Sequence, residues 1–299
     1  MQNTPIIQIW NAFEPINIEP DNGNKFKIEV RSPEKELPEE LERKVDENWR
    51  RFCIRNSHVK GGKIIYLREP VASGREPITA VTEERHFKYT QAFNRDEILS
   101  NPTEILRKYR LLSISTHCHL VTKDDKILFG TKKNQSNQIS GFSGFPDTNE
   151  DTVEVDGKKY LKIYQTMLNR LRSEIGYLVD AIDSINAVGI TYVNIPRLRG
   201  LDFNYVVRLD EKAENVKQRF QETWQFEKEL FVADFEPEKM VEFVKDIHKD
   251  KMMSRYALGC MYLEIKAFFG EKEAEKLRKT IQEDIGVSMS TENETGYFS

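Results

Sequence analysis

The sequence predicts a mixed α/β protein in which a sheet packs against helices, and three patterns lead to this prediction. Apolar and polar residues alternate on both sides of the Asp124–Asp125 turn in "LLSISTHCHLVTKDDKILFGTKK", as expected for a β-hairpin. Apolar residues then recur every four positions from Ile163 to Ile175, which is the period of a helix. The runs "SINAVGITYV" and "DFNYVVRLD" supply two further strands. The predicted order is therefore hairpin, loop, helix, strand, strand.

The composition predicts a soluble, slightly acidic protein. The 299 residues include 45 Lys+Arg and 49 Asp+Glu, so no global basic field is available to attract nucleic acid. No apolar run approaches the roughly 18 residues of a membrane span, and "MQNTPIIQIWNAF" lacks the features of a signal peptide. Cys53, Cys118 and Cys260 are scattered without CxxC spacing, which favours reduced thiols in a cytoplasmic protein.

Residues 1–110 are predicted to form a strand-helix-strand extension. The run "KFKIEV" is typical of a strand, and "PEELERKVDENWRRFC" has apolar residues at helical spacing. The runs "KIIYLREPV" and "ITAVTEERHFKYTQAF" alternate in the manner of half-buried strands. The following "RDEILSNPTEILRKYRLL" is interpreted as a short helix that is broken near Pro102.

The rest of the chain divides into a core, a helical attachment and a tail. The predicted core spans 111–233 and contains the Gly-rich loop "ISGFSGFPDTNEDTVEVDGKKYL" and one helix over 158–176, closed by Gly176. From Ala213 onward the pattern predicts helices. A pair of helices is expected in "NVKQRFQETWQFEKELFVADF" and "PEKMVEFVKDIHKDKMMSRYALGCMYLEIKAFFG", so 234–287 is predicted to be C-terminal helices, and 288–299 is interpreted as a polar tail.

Three of these segments together resemble a known family. A strand ending "ILFGTKK", the loop "GFSGFPD" and a helix ending "LRSEIGY" are similar to the Nudix fold, whose box ends in Arg-Glu-aliphatic-x-Glu-Glu-x-Gly-aliphatic. Leu171, Glu174 and Gly176 match this ending. The leader "LPEELERKVDENWRRFCIRNSHVKGGKIIYLRE" is similar to the start of the Nudix subfamily that hydrolyses UDP-glucose. The resemblance covers about residues 35–233 and implies a Nudix-like α/β/α sandwich with an N-terminal strand-helix extension and a C-terminal helical attachment.

The same box is degenerate at the positions that would carry the chemistry. Asn169 replaces the Arg, Arg170 and Ser173 replace two of the three Glu, and Tyr177 replaces the last aliphatic residue. Nudix enzymes cleave a phosphoanhydride with divalent cations that offset phosphate charge and activate water. The resemblance therefore implies Mg²⁺ or Mn²⁺ as the cofactor of an active enzyme, with Glu174 as its catalytic metal ligand.

Replacement metal ligands are available elsewhere in the sequence. Some acids lie in the loop before the helix, and others precede "LFVADF", near where the family often has a further acid. An alternative for the first set is a solvated loop, and for the second an ordinary exposed helix surface. The candidates are Asp147, Glu150, Glu227 and Glu229, together with Asp151 and Glu154.

Further residues are candidates for binding the substrate. Arg170 could hold a phosphate where a metal ligand once stood, or it could be a solvated helix residue. His117 and His119 share one face of a strand and are expected to pack or to contact substrate rather than bind metal, since no third ligand is apparent. In the loop, Gly144 could let the backbone approach a phosphate or form a tight turn. Phe145 could stack on a base or pack in the core, and the same alternatives hold for Gly141 and Phe142.

Two functions follow from these observations. The first is a divergent Nudix-type hydrolase that uses a divalent cation on a nucleoside diphosphate derivative, such as a nucleotide sugar. The second is a catalytically degenerate Nudix-fold module that binds a nucleotide or joins a protein assembly. Both predict a nucleotide-type small molecule as ligand, and the second adds a protein partner or a second copy of the chain.

Overall fold

The computed structural model of the chain describes residues 6–18, 25–34, 36–55, 61–68, 77–93, 109, 112–132, 138–175, 179–195, 198–223 and 227–291. The strands within these residues are β1 (Ile7–Asn17), β2 (Phe26–Arg31), β3 (Lys63–Leu67), β4 (Ile78–His86), β5 (Leu112–Val121), β6 (Lys126–Lys132), β7 (Gln138–Ser140), β8 (Phe142–Gly144), β9 (Thr152–Val155), β10 (Lys158–Leu161), β11 (Ile182–Ile195), β12 (Leu198–Leu209), β13 (Glu227–Asp234), β14 (Met252–Met253) and β15 (Met289–Ser290). The α-helices within them are α1 (Glu39–Arg55), α2 (Lys88–Phe93), α3 (Ile163–Ile175), α4 (Ala213–Thr223), α5 (Pro237–Asp250), α6 (Arg255–Phe269) and α7 (Glu271–Glu283).

The described strands form one mixed sheet. Its main path runs β15-β1-β11-β12-β5-β3-β4-β2-β10-β9, and β5 also pairs with β6 and β8. β5 and β12 are parallel neighbours, with Ile114 opposite Leu201 and Val121 opposite Arg208. β5 and β6 form the predicted hairpin. The prediction that strands near 113–121 and 202–209 share one sheet is therefore confirmed.

Helices cover both faces of the sheet around β5. Nine of the ten residues of β5 are buried, as expected for a central strand covered on two sides. Cys118 and Leu120 point to one face and belong to the same buried cluster as Met167 of α3. Val121 points to the opposite face and belongs to the cluster that includes Met261 of α6. The molecule is therefore a mixed α/β protein with one core on each side of the sheet.

The C-terminal layer is built around α6. Every residue from Ala257 to Ile265 is buried, and a helix that is apolar almost all round is expected in such a position. Ser254 caps its N-terminus, where the hydroxyl accepts a hydrogen bond of 3.0 Å from the Ala257 amide. The described part of this layer holds three helices, and the run 237–270, predicted as one member of the helix pair, is divided by β14 into α5 and α6. None of the described helices is both long and apolar enough to cross a membrane.

The region before α3 differs from the prediction. Residues 158–161 are a strand rather than the first turn of the helix, and Ile163 is the first helical residue. β9 and β10 form a hairpin through Asp156 and Gly157, which both have positive φ values (50° and 71°). β8 and this hairpin lie where a single Gly-rich loop was expected. The segment therefore adds ordered strands between the hairpin β5–β6 and α3.

Other boundaries are also corrected. β4 ends at His86, and the rest of its predicted strand is helix α2. The helical prediction from Ala213 fails at β13, because residues 227–234 pair with β6. The predicted polar tail contains β15. The short helix predicted over 95–112 lies outside the described residues apart from Tyr109 and Leu112.

Candidate functional site

The end of α3 presents Arg170 and Glu174 one turn apart on the same face. Glu174 is buried, with 4% of its surface exposed, whereas Arg170 is partly exposed. Residues 176–178, which include the matching Gly176 and the substituted Tyr177, lie outside the described chain. The segment that resembles the Nudix box is therefore helical up to Ile175, as the resemblance implies.

Arg170 lies directly against Gly144 of β8. A Cβ atom built on Gly144 would be 2.0 Å from Arg170 Nε and 2.4 Å from its Cγ. No real side chain tolerates such a distance, so glycine here makes room for the Arg170 side chain to cross the strand. Gly144 was predicted to let the backbone approach a phosphate. In the structure, the group that approaches it is the guanidinium of Arg170.

The charge of Arg170 is not neutralised by a carboxylate in the described part of the chain. Apart from the backbone hydrogen bonds of the helix, Arg170 takes part in one hydrogen bond among the described residues: its carbonyl accepts from the Ser173 hydroxyl at 3.0 Å. That bond does not involve the guanidinium. By contrast, the exposed Arg172 on the same helix donates to the Asn169 side chain at 3.3 Å. Arg170 is thus a partly exposed cation with its donors available to an anion.

The acids predicted to join Glu174 lie elsewhere or have other partners. The Asp147 carboxylate accepts from the Asn149 amide at 2.8 Å, and Glu150 is exposed. Glu229 is exposed and pairs with Lys251. The backbone of Glu227 begins β13, but its side chain lies outside the described residues.

The positions of these acids decide whether the residues around Glu174 could bind Mg²⁺ or Mn²⁺. In the described chain, three possible metal ligands come together at His117, His119 and Cys260, whose ligand atoms lie within 4.8 Å of one another. Glu174 does not belong to this group or to another group of three such residues in the described chain. Hard divalent cations are held by several oxygen ligands. The described residues around Glu174 therefore do not fit a magnesium or manganese centre.

Asp151, a loop acid from the same candidate set, has a structural position. It is buried, with 2% of its surface exposed. Its Oδ2 accepts hydrogen bonds from the Asp147 amide and the Thr166 hydroxyl, each at 2.8 Å, and its Oδ1 accepts from Asn169 Nδ2 at 2.7 Å. Asp151 therefore ties the loop before β9 to α3, which fixes the helix that carries Arg170.

Phe145 packs on the N-terminal part of the fold. Its ring centroid lies 5.6 Å from that of Phe87, beside the cluster that includes Val45 of α1. Phe142 is 1% exposed and belongs to the core under α3. Stacking of Phe145 on a base stays a prediction.

His117 and His119 form a second group on the other face of the sheet. Both are fully buried on β5 and face α6, and their ring centroids lie 5.3 Å apart. His119 Nδ1 lies 2.8 Å and 2.9 Å from the two carboxylate oxygens of Glu264. The Cys260 thiol donates to Glu264 Oε1 at 3.4 Å. The strand spacing predicted the His pair, but neither residue of α6 was anticipated.

A signal for these two residues was present in the sequence. Cys260 and Glu264 stand four positions apart in "RYALGCMYLEIKAFF", and Glu264 is the one acid in that apolar helix. A buried carboxylate requires a partner. The partner could not be named from the sequence alone, because His119 is 145 residues away.

The buried thiols on the two faces of β5 are poor nucleophiles. Burial raises the pKa of the Cys118 thiol well above its ordinary value, and the nearby carboxylates of Glu174 and Glu264 raise it further. Burial also raises the pKa of Cys260, with Glu264 as the next cause. Both thiols are therefore protonated at neutral pH, which does not suit nucleophilic catalysis by cysteine.

No family model matches the sequence, and no curated protein matches it. Among solved structures, DR0079 from Deinococcus radiodurans is 10% identical with a TM-score of 0.32, and the match covers 52% of this chain and 82% of that one. A hydrolase of the Nudix family from Clostridium perfringens is 11% identical with a TM-score of 0.28, covering 55% and 97%. At these identities and TM-scores, neither structure establishes the fold or the activity of this chain.

Proposed function

We propose that the chain is a Nudix-like module that binds the anionic part of a nucleotide-type small molecule at the Arg170 end of α3. The observation that carries the proposal is the partly exposed Arg170 guanidinium, which lies across Gly144 and has no carboxylate partner in the described chain. A nucleoside diphosphate derivative, such as a nucleotide sugar, supplies the matching charge.

The order of elements supports the link to Nudix proteins. The segments that resemble the family are β6, the strand β8 with its following loop, and α3, and they are neighbours around β5. Arg170 and Ser173 occupy the positions of two Glu residues in the box that this segment resembles. The substitution changes the charge at the first of these positions from negative to positive.

That change favours a phosphate over a cation. A guanidinium offers several donors in a planar fork that matches phosphate oxygens, and such charge-assisted bonds are stronger than neutral ones. Near Glu174, a positive group opposes the binding of a divalent cation. The site is therefore suited to holding phosphate directly through a side chain.

A metal-dependent hydrolase is the second candidate. It is favoured by Glu174, which stands at the matching position of the box and is buried beside the sheet. In this function, Glu174 would bind Mg²⁺ or Mn²⁺ and the further ligands would come from acids such as Glu227. Glu174→Gln would then abolish turnover, whereas Arg170→Glu would strengthen cation binding and raise turnover.

Calorimetric titration with UDP-glucose tests the proposal. Arg170→Ala is expected to weaken binding by about 1.5–3 kcal/mol, the usual scale for hydrogen bonds to a charged group. EDTA is expected to leave the binding of the unsubstituted protein unchanged. Arg172→Ala is the matched control, because it removes the same charge from an exposed position on the same helix.

Two results would contradict the proposal. Equal affinity in the Arg170→Ala and Arg172→Ala variants would remove Arg170 from the binding site. Turnover of UDP-glucose that requires Mg²⁺ and disappears in Glu174→Gln would establish the hydrolase instead. Release of UMP and glucose 1-phosphate is therefore followed in parallel with binding, on the unsubstituted protein and the three variants.

A further inference from the structure

We propose that His117, His119 and Cys260 form a buried zinc site that joins β5 to α6, with Glu264 supporting it. The three side chains each offer one ligand atom, and these atoms all lie within 4.8 Å of one another. All three are fully buried. The site is separate from Arg170 and lies on the opposite face of the sheet from α3.

The residue types and spacing fit zinc. Zinc in proteins is bound by His nitrogen and Cys sulfur in tetrahedral geometry. Bond lengths of about 2.0–2.1 Å to nitrogen and about 2.3 Å to sulfur place the ligand atoms about 3.3–3.6 Å apart. Ligand atoms that already lie within 4.8 Å need only small side-chain movements to reach that geometry.

Glu264 adds an independent argument. The Glu264 carboxylate contacts His119 Nδ1, while His119 Nε2 is buried with no hydrogen-bond partner. A zinc-bound His usually donates its other ring N–H to a carboxylate, which fixes the tautomer and the orientation of the ring. His119 has that arrangement, with Nε2 directed into the interior as the ligand atom.

The charges also balance. A zinc ion carries two positive charges, and the Cys260 thiolate and the Glu264 carboxylate carry one negative charge each, so the buried group would be neutral as a whole. Binding releases the thiol proton to solvent, together with the proton that neutralises the Glu264 carboxylate in the absence of the ion. An uncompensated buried charge would be costly, and this combination avoids it.

The site supplies three protein ligands and is buried, which favours an ion held in the interior over one that is open to substrate. Gly141 lies over the His pair: a Cβ atom there would be 2.5 Å from His117 Nε2 and 2.5 Å from His119 Cδ2. Catalytic zinc keeps a position open to water or substrate, whereas structural zinc is enclosed by protein. The ion would therefore connect the sheet to the C-terminal helical layer.

Metal analysis of the full chain tests this site. The purified protein is expected to retain one equivalent of zinc after dialysis against a weak chelator. After zinc removal, titration with Co²⁺ is expected to give the charge-transfer band of a cobalt–thiolate bond. Cys260→Ala is expected to lose that band and the bound zinc.

Cys118→Ala is the matched control. Cys118 lies between His117 and His119 on β5 and is also buried, but its thiol faces the opposite side of the sheet. The Cys118→Ala variant is therefore expected to retain the metal. Circular dichroism shows whether each variant is folded.

The proposal is overturned if the unsubstituted protein binds neither ion, in which case His119, Cys260 and Glu264 form a metal-free hydrogen-bonded group. It is also overturned if Cys260→Ala keeps the thiolate band. Arg170→Ala is expected to keep its zinc, so this test is independent of the proposed function.

Discussion

At the scale of single residues, Asp151 shows how a carboxylate in a loop can serve structure rather than chemistry. Its neighbours Asp147 and Glu150 are exposed, whereas Asp151 is buried and accepts three hydrogen bonds. All three acids lie in the same short polar segment, "PDTNED", so their neighbours in the sequence do not distinguish them. The burial that distinguishes them depends on where α3 packs, which the sequence pattern does not specify.

We expect Asp151→Ala to lower the free energy of unfolding by about 2–4 kcal/mol, because the buried Thr166 hydroxyl and two partly buried donors lose their acceptor. Urea denaturation followed by circular dichroism measures the change. Glu150→Ala is the control and is expected to stay within about 0.5 kcal/mol of the unsubstituted protein, as exposed positions usually do. Similar stability of the two variants would show that the Asp151 bonds are replaced by water.

The candidate site was predictable only in part, for a physical reason. Helical and strand periods correctly placed Arg170 beside Glu174 and His117 beside His119, because these periods act over a few residues. The contact of Arg170 with Gly144 and that of His119 with Glu264 depend on packing between distant segments. Periodicity carries no information about such contacts.

At the scale of secondary structure elements, the hairpin β9–β10 was signalled in the sequence and missed. The run "VEVDGKKY" has an Asp-Gly pair between short alternating segments, which is typical of a two-residue type I′ turn. The prediction of a helix from residue 158 overlooks this turn, since residues 158–161 form β10. The positive φ values of Asp156 and Gly157 confirm the turn that this dipeptide favours.

The turn predicts a cost for losing glycine. Gly157→Ala is expected to destabilise the protein by about 1 kcal/mol, because φ is 71° and an L-residue is strained there. A Cβ atom at Gly157 would meet nothing within 4 Å, so the cost is not a clash. Gly62→Ala is the matched control, since Gly62 has equal space without a positive φ. Thermal or urea denaturation that ranks the two variants equally would contradict the backbone explanation.

Other elements were decided by tertiary contacts. β13 was predicted as part of a helix, but residues 227–234 pair along β6 from Lys132 to Lys126. Short apolar runs fit either a strand or a helix, and the available partner determines the outcome. α1 and α3 were easier to predict, because their apolar positions repeat over several turns.

At the scale of the whole molecule, the α/β class was predictable and the strand order was not. Runs of strands and helices fix which elements must bury an apolar face. They do not specify that β5 lies between β12 and β3, or that β1 pairs with β11. These neighbours come from segments far apart in the chain, and their pairing is decided by the assembled sheet.

The two ends of the described chain meet at one edge of the sheet. β15 pairs in parallel with β1, and the amides of Ile6 and Ile7 donate to the Ser288 carbonyl at 3.1 Å and 3.0 Å. Val287 and Met289 beside these bonds are almost fully buried. The final described residues therefore cover the outer edge of β1.

A chain ending at Gly286 is expected to lose about 3–5 kcal/mol of unfolding free energy, because it gives up the burial of Val287 and Met289. A chain ending at Thr291 keeps β15 and is expected to match the full protein. Urea denaturation of the three proteins compares them directly. Equal stability of the Gly286 chain would show that β1 does not depend on β15.

The pairing of β1 with β15 has a consequence during synthesis on the ribosome. The Ile6 amide cannot form its hydrogen bonds to Ser288 until that residue is added, 282 residues later. At about 5–20 residues per second, that delay is roughly 15–55 seconds. Throughout this time the outer edge of β1 lacks its parallel partner, and an open strand edge can pair with other polypeptides. The outer edge of β1 therefore stays open until almost the whole described chain has been made, and a product that ends before Val287 would leave it open.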